Sequence, residues 1–133
     1  MMDKYDKILA KRKIKTIKFE ISPHRDFRKQ MIRDIEAGKA QKEDLIVYFA
    51  DTETFAKFFT KERLRLLRTI KNEKPKSLYA LAKMLKRDFK NVQTDAKFLE
   101  TTKLITLEKY KVGKKKKLRP RTSIKKIELE MEI

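Results

Sequence analysis

A dense run of cations near the carboxyl-terminal end is the strongest chemical feature of the sequence. Eight Lys and Arg residues lie between positions 109 and 121, and no Asp or Glu interrupts them. Cations at this density repel one another unless an anion neutralises them. The cluster therefore predicts contacts with a nucleic-acid backbone or minor groove, and the alternative is a solvated lysine loop without a ligand. Its members are Lys109, Lys111, Lys114, Lys115, Lys116, Lys117, Arg119 and Arg121.

A second polar set has the spacing of a helix surface. A helix beginning near Asp88 has apolar residues at positions 89, 92, 96 and 99, which face inward and leave five polar side chains outside. Asn and Gln can form two hydrogen bonds with adenine, Lys reaches guanine acceptors or phosphate, and Thr contacts phosphate or the thymine methyl group. Every surface helix has a polar outer face, so the pattern predicts base reading only together with its neighbours. The five residues are Lys90, Asn91, Gln93, Thr94 and Lys97.

A third set surrounds the start of a short helix. Lys76, Ser77 and Tyr79 lie where backbone N–H groups and the positive end of the helix dipole favour a phosphate. Ser77 also suits the helix cap, and the alternative role of Tyr79 is packing. Arg87 lies in the turn before the next helix and adds a cation to the same predicted DNA-binding surface.

The overall charge agrees with a polyanionic partner. The 133 residues include 37 Lys and Arg against 19 Asp and Glu, for a net charge of +18. Such a charge makes nucleic acid the first expectation, ahead of an anionic membrane. No stretch approaches the roughly 18 consecutive apolar residues of a membrane-spanning helix, and the first residues lack an apolar signal core. We expect a cytoplasmic protein with no membrane partner.

Residue types for catalysis and metal binding are scarce. The chain has one histidine, His24, no cysteine and two glycines. It therefore lacks a disulfide framework, a thiolate zinc site, a nucleophile–base pair and a glycine-rich phosphate loop. We expect no catalytic residues, no metal and no cofactor, and an enzyme is the least favoured class.

The first half of the chain predicts a strand, a helix and a second strand. Apolar residues alternate from 15 to 21, Ser22 and Gly38 bracket a helix over about 23–37, and a strand follows at 45–49. Asp51 is placed to cap a helical turn that carries several phenylalanines. The first strand and the helix present more apolar surface than a small domain covers by itself, which predicts a dimer or partner contact. Its residues are Ile17, Phe19, Ile21, Phe27, Met31 and Ile35.

The second half predicts three capped helices and a hairpin. Thr60, Ser77 and Asp88 suit the caps of helices over about 60–72, 78–85 and 88–100. A strand at 104–110, a polar loop at 111–120 and an alternating strand at 124–133 follow, and together they predict a hairpin with a basic tip. Three helices joined by tight turns and followed by such a wing indicate a winged helix-turn-helix.

The expected fold is therefore α+β, a winged helix-turn-helix with an N-terminal strand-helix-strand extension. Residues 1–55 form the predicted dimerisation or partner-binding extension, and residues 56–133 form the predicted DNA-binding domain. We expect the recognition helix, about 88–100, in the major groove. The wing, about 108–122, is expected on the backbone or in the minor groove.

Four segments of the second half resemble a known family. They read Phe-Thr-Lys-Glu-Arg-Leu-Arg-Leu-Leu (59–67), Pro-Lys-Ser-Leu-Tyr-Ala-Leu-Ala (75–82), Arg-Asp-Phe-Lys-Asn-Val-Gln-Thr-Asp (87–95) and Leu-Ile-Thr-Leu (104–107). Together they resemble the small DNA-binding winged-helix proteins of archaea and bacteria in the MarR-like superfamily, over about residues 45–130. The resemblance implies DNA binding, and some bacterial members are antitoxins paired with TumE-type toxins. Lys103 departs from the pattern, because many winged helices have glycine there, so the left-handed residue is expected to be absent or to lie at Thr102.

Three functions fit the sequence. The first is a sequence-specific transcriptional regulator that binds double-stranded DNA as a homodimer, because one recognition helix reads only a few base pairs. The second is an antitoxin whose first half binds a toxin protein while its winged helix represses its own operon. The third is an RNA- or ribosome-binding protein, although double-stranded RNA hides the major-groove edges that amide side chains read.

Overall fold

Helices and strands occur in both halves of the chain, which confirms the predicted α+β class. The computed structural model describes residues 14–22, 36 and 45–133. The chain divides into a sheet unit, residues 1–58 and 123–133, and a helix-hairpin unit, residues 59–122. The second unit therefore ends before the end of the predicted domain 56–133. The described elements are β1 (Thr16–Ile21), β2 (Leu45–Phe49), α1 (Thr52–Phe58), α2 (Lys61–Glu73), α3 (Leu78–Leu85), α4 (Phe89–Thr101), β3 (Thr106–Val112), β4 (Lys115–Arg121) and β5 (Lys126–Met131).

β1 is the central strand of the sheet unit. It pairs in parallel with β2 on one side and with β5 on the other. Its three alternating apolar residues are at most 2% exposed. The Phe19 ring lies at centroid distances of 5.8, 5.5 and 5.7 Å from the rings of Phe49, Phe55 and Phe58. Tilted and edge-to-face aromatic contacts between β1, β2 and α1 therefore form the core of this unit.

Half of the residues predicted for a dimer or partner surface lie in this core. Ile17, Phe19 and Ile21 are buried among residues of the same chain, so a partner would have to open the sheet unit to reach them. The reason is the central position of β1, which alternation cannot reveal because an edge strand alternates in the same way. The helix predicted over 23–37 lies outside the described residues, apart from Glu36, which is helical. With it, Phe27, Met31 and Ile35 lie outside the described residues.

The partner of the last strand differs from the predicted one. The pairing of segment 124–133 with the strand after the third helix is wrong, because β5 pairs with β1. Ile127, Leu129 and Met131 lie beside the three apolar residues of β1. On the other face, Lys18 forms an ion pair with Glu130, and this hydrogen bond raises the pKa of Lys18 above its usual value. Local alternation identifies a strand, but its partner depends on apolar residues about 110 positions away.

The prediction of a polar loop at 111–120 is also wrong. β3 and β4 form an antiparallel hairpin in which Val112 pairs with Lys115 across the two residues Gly113 and Lys114. Gly113 has a φ of 63°, and glycine at the first central position suits a two-residue hairpin turn. Lysine is uncommon in strands, which conceals β4 in the sequence. In this exposed ribbon the lysines extend into solvent and need no burial.

The predicted caps of the three helices in the helix-hairpin unit are confirmed. The side chains of Thr60, Ser77 and Asp88 each accept a hydrogen bond from the backbone N–H three residues later, at 3.2, 3.0 and 3.4 Å. Each cap satisfies an N–H that has no partner inside its helix. None of the described helices is long and apolar enough to cross a membrane. The helices bury Leu66, Leu67, Ile70, Leu78, Leu81, Ala82, Leu85, Val92, Ala96 and Leu99.

Lysine occupies the left-handed position after each of these helices. Lys74, Lys86 and Lys103 have φ angles of 47°, 53° and 67°. The sequence predicts that the left-handed residue after the third helix is absent or lies at Thr102, and this prediction is wrong because the residue is Lys103. The Leu104 N–H donates to a carbonyl five residues earlier at 3.1 Å, and this closing hydrogen bond accompanies the left-handed turn at Lys103. A residue with a Cβ adopts that conformation at a cost of about 1 kcal/mol.

Glycine at position 86 should stabilise the protein. The variant Lys86→Gly is expected to raise the free energy of unfolding by about 0.5 to 1 kcal/mol, because glycine adopts a positive φ without strain. Lys86→Ala is the matched control, since it removes the same charge but keeps the Cβ and should give no gain. Urea unfolding of the three proteins measures the difference. Equal stability of the glycine and alanine variants would contradict strain at this position.

Candidate nucleic-acid interface

The exposed side of α4 carries cations and neutral polar groups. Lys90, Asn91, Thr94 and Lys97 are exposed, and Gln93 is half-buried. Over residues 89–101, all of which the structure describes, the two carboxylates, Asp95 and Glu100, are half-buried. The five residues predicted to face DNA therefore lie on one described helix, on or beside its outer face.

Both acidic residues of α4 have partners inside the unit. The Asp95 carboxylate accepts hydrogen bonds from Arg63 Nε at 3.1 Å and from Arg87 Nη2 at 2.9 Å, and the Asp95 side chain is 16% exposed. The Glu100 carboxylate accepts a hydrogen bond from the Leu107 N–H of β3 at 3.2 Å. These internal contacts leave the outer face of α4 with a positive potential.

Asn91 and Gln93 lie on opposite flanks of the outer face. Successive residues of an α-helix are about 100° apart, so residues two positions apart differ by about 200°. Asn91 shares its flank with Phe98, and Gln93 shares its flank with Phe89. The two amides therefore cannot both point at one base pair. The middle of the face is formed by Lys90, Thr94 and Lys97.

Arg87 is bonded within the unit. Its Nη2 donates to Asp95, its Nε lies 3.7 Å from the Glu62 carboxylate, and its side chain is 21% exposed. Its Nη1 is buried with no acceptor among the described residues. Arg87 therefore ties the turn before α4 to α4 itself, and a direct contact with DNA would require it to leave Asp95. The sequence alone does not reveal this pairing.

An exposed aromatic pair lies on α3 and at the start of α4. The Tyr79 ring is 59% exposed, its centroid lies 6.1 Å from that of Phe89, and the Lys83 ammonium lies 4.6 Å from the Tyr79 centroid. Phe89 is 37% exposed, so the prediction that it faces the core is wrong. It is the first residue of α4 and precedes the turn that enters the core. Ser77 is 7% exposed, and its hydroxyl caps α3.

The lysines of the hairpin point to both of its faces. Cross-strand partners share a face, so Lys117 lies with Tyr110 on one face and Lys116 lies with Lys111 on the other. The Tyr110 hydroxyl donates a hydrogen bond to the Lys76 carbonyl at 2.6 Å, which ties the Tyr110 residue to the loop before α3. The predicted cationic tip is exposed and consists of Lys114, Lys115, Lys116 and Lys117.

A basic groove lies between the end of α2 and β4. Its volume is about 480 Å³, and the described residues that line it include five cations and no carboxylate. The Arg119 guanidinium lies 5.0 Å from the Tyr110 ring centroid, and its buried Nε has no acceptor in the described part of the chain. Arg121 forms an ion pair with Glu108 at 3.0 Å. No group of metal-binding side chains occurs among the described residues. The five cations are Lys71, Lys74, Lys76, Arg119 and Arg121.

Sequence reasoning missed two cations of this groove. Lys71 and Lys74 lie at the polar end of α2, and only the fold brings them beside Arg119 and Arg121 of β4. The available signal was two lysines within the four residues before Pro75. Basic residues are also common at the end of a helix, so this signal carries no functional information by itself.

The comparison with known proteins concerns the same part of the chain. Residues 58–129 match the HVO_A0114 family, from one residue before the helix-hairpin unit into β5. No curated protein and no solved structure matches the chain. The matched range contains the α4 face, the aromatic pair, the hairpin and the basic groove. It spans 72 of the 133 residues, more than half of the chain, and the protein therefore belongs to the HVO_A0114 family.

Proposed function

We propose that the helix-hairpin unit binds double-stranded DNA as a winged helix-turn-helix. α4 is the recognition helix in the major groove, and the β3–β4 hairpin is the wing on the backbone or in the minor groove. The main support for this proposal is the composition of the exposed face of α4. Both of its acids are bonded to internal partners, which leaves lysines and neutral polar groups to meet a duplex.

The distribution of charge supports this surface. The helix-hairpin unit contains 21 Lys and Arg against six Asp and Glu, so it holds +15 of the net charge of +18. The basic groove offers cations for a backbone phosphate close to the start of α3, where Lys76 precedes the cap. Phosphate contacts of this kind fix the position of a protein on DNA without reading sequence.

The roles of the α4 residues follow from their angular positions. Lys90, Thr94 and Lys97 form the centre of the proposed contact, and either Asn91 or Gln93 reads an adenine from its flank. Arg87 has no direct contact with DNA in this proposal. It is a positioning residue that holds α4 through Asp95.

A dimeric transcriptional regulator is the preferred function, in agreement with the MarR-like resemblance. One recognition helix reads only a few base pairs, and two copies related by a two-fold axis double the contacts. An antitoxin that represses its own operon would use the same surface for DNA. Double-stranded RNA fits less well, because its narrow major groove excludes a helix such as α4.

Alanine substitutions on α4 test the proposed base reading. Selection of bound genomic fragments, followed by footprinting, first identifies the specific site. Asn91→Ala or Gln93→Ala should then weaken binding to that site by about 1 to 3 kcal/mol and affect random duplex much less. Because the two amides lie on opposite flanks, we expect one of them to show the larger loss. Fluorescence anisotropy titrations measure both affinities.

The control variant is Arg65→Ala on the exposed side of α2. It removes a surface cation that lies 3.8 Å from Glu62, and it should change neither affinity by much. Equal losses of affinity for specific and random DNA would show that both amides contact phosphates and do not read bases. Equal binding of duplex DNA and double-stranded RNA of the same sequence would contradict recognition through the major groove.

A further inference from the structure

β5 forms one edge of the three-stranded sheet, and the apolar side chains of β5 are only partly covered. Within the described ranges, β5 pairs with β1 and with no other strand. Leu129 and Met131 are 55% and 51% exposed, although their neighbours on β1, Phe19 and Ile21, are buried. An open edge with exposed apolar side chains is a template for pairing with a further strand.

The odd-numbered residues of β5 direct their backbone N–H and C=O groups toward the open edge, where such a strand would pair. The Lys126 N–H donates to the carbonyl of Lys15, the residue before β1, at 3.2 Å, and the Glu132 N–H donates to the Ile21 carbonyl at the end of β1 at 3.0 Å. In a parallel pair, every second residue of a strand directs its N–H and C=O to the same neighbour. The groups that point away from β1 therefore belong to Ile127, Leu129 and Met131.

The charges of β5 are divided between its two ends. Lys125 and Lys126 lie at the start, and Glu128, Glu130 and Glu132 lie along the rest. Two copies related by a two-fold axis pair their edge strands antiparallel, so the lysine end of one copy meets the glutamate end of the other. If the two-fold axis passes through residue 127, 128 or 129, Lys126 of one copy lies opposite Glu128, Glu130 or Glu132 of the other, respectively. A parallel pairing would instead align like charges.

The charge of the whole unit also permits self-association. The sheet unit contains 16 Lys and Arg against 13 Asp and Glu, whereas the helix-hairpin unit carries a charge of +15. Two copies that meet through the sheet unit therefore experience little mutual repulsion at the contact.

We propose that β5 is a homodimer interface. A second copy of the chain adds its β5 antiparallel to this edge, and the two three-stranded sheets become one continuous six-stranded sheet. In the register centred on residue 129, Leu129 of one copy lies opposite Leu129 of the other and Met131 lies opposite Ile127, which moves apolar surface from water into the interface. The inference stands on the sheet unit alone, and it supplies the dimer that the proposed DNA binding uses.

Leu129→Pro tests this interface in the full chain. Proline removes the N–H at position 129, which points away from β1, so pairing with a second copy is blocked while pairing with β1 is kept. Sedimentation equilibrium should show a wild-type dimer and a dimer dissociation constant that rises on the order of 100-fold in the variant. Leu129→Val is the matched control, because it keeps the N–H and an apolar side chain and should remain a dimer. Circular dichroism checks that all three proteins are folded.

A charge exchange tests the antiparallel direction without proline. One variant combines Lys125→Glu with Lys126→Glu, and the other combines Glu128→Lys with Glu132→Lys. Each is expected to dimerise weakly by itself, because like charges then meet at both ends of the strand pair. A mixture of the two should form heterodimers, since an acidic strand then meets a basic one.

Three outcomes would overturn the interface. The first is a wild-type protein that stays monomeric up to its solubility limit, as it would if another part of the chain covered the edge. The second is a dimer that persists in folded Leu129→Pro. The third is a charge exchange that produces no heterodimer. A protein that dimerises as described but ignores DNA would contradict only the proposed function.

Discussion

Replacing the exposed lysines of the hairpin tip with serine should strongly reduce the salt dependence of DNA binding. Each phosphate that a cation neutralises contributes about 0.9 to the slope of log affinity against log salt concentration. With about two phosphates engaged by the tip of each subunit, the slope for a dimer should fall by about 3 to 4. Preference among sequences should be kept, because phosphate contacts position a protein without specifying sequence. The substituted residues are Lys114, Lys115, Lys116 and Lys117.

The two faces of the hairpin allow a sharper comparison. Lys115 and Lys117 share the face of Tyr110, whereas Lys111 and Lys116 share the other face. The double variants Lys115→Ser with Lys117→Ser and Lys111→Ser with Lys116→Ser remove the same number of charges. They should nevertheless differ in slope, because a duplex on one face leaves the other in solvent. Since Tyr110 is bonded to the loop before α3, we expect the larger reduction from the Lys115 and Lys117 pair.

Titrations over a range of salt concentrations, on specific and random duplexes, measure these slopes. Lys61→Ser with Arg68→Ser on the exposed side of α2 is the charge-matched control and should change the slope little. Folding should be almost unaffected in all variants, because exposed charges of one sign repel one another and contribute little stability. An unchanged slope after all four substitutions would mean that the tip stays solvated, and it would remove the hairpin from the DNA-binding surface.

A large loss of stability is expected when the Asp95 carboxylate is removed. Asp95→Ala removes the carboxylate shared by Arg63 and Arg87, whose side chains are only 16% and 21% exposed. Breaking a buried ion pair by removing one partner costs about 3 to 5 kcal/mol, and the residual solvent access here lowers the expected loss to about 2 to 4 kcal/mol. Urea unfolding measures it. DNA binding should weaken as well, because α4 loses the contacts that position it.

Two further variants separate this contact from a general charge effect. Asp95→Asn keeps an acceptor for one arginine and should lose less stability than the alanine variant. Glu62→Ala removes an exposed carboxylate that lies 3.7 Å from Arg87, and its effect should be about 0.5 kcal/mol or less. Similar losses for Glu62→Ala and Asp95→Ala would show that Asp95 has no special role.

The helices of the second half and the polar face of α4 were predictable from the sequence. A cap acts on an N–H only three residues away, so Thr60, Ser77 and Asp88 mark the helix starts without any knowledge of the fold. Helical periodicity likewise separates Lys90 and Thr94 from the apolar stripe. β1 and β2 follow from alternation and from a short apolar run.

Contacts between distant residues were decided only by the tertiary structure. The alternating pattern of β5 is compatible with pairing to β1 or to β3, and only the folded structure shows that it pairs with β1. The hydrogen bond between Arg87 and Asp95, and the presence of Lys74 and Arg119 in one groove, depend on how the helices and the hairpin pack. Local signals act through backbone groups a few residues apart, whereas pairing and charge neutralisation depend on which surfaces meet when the whole chain folds, and a single sequence does not encode that choice locally.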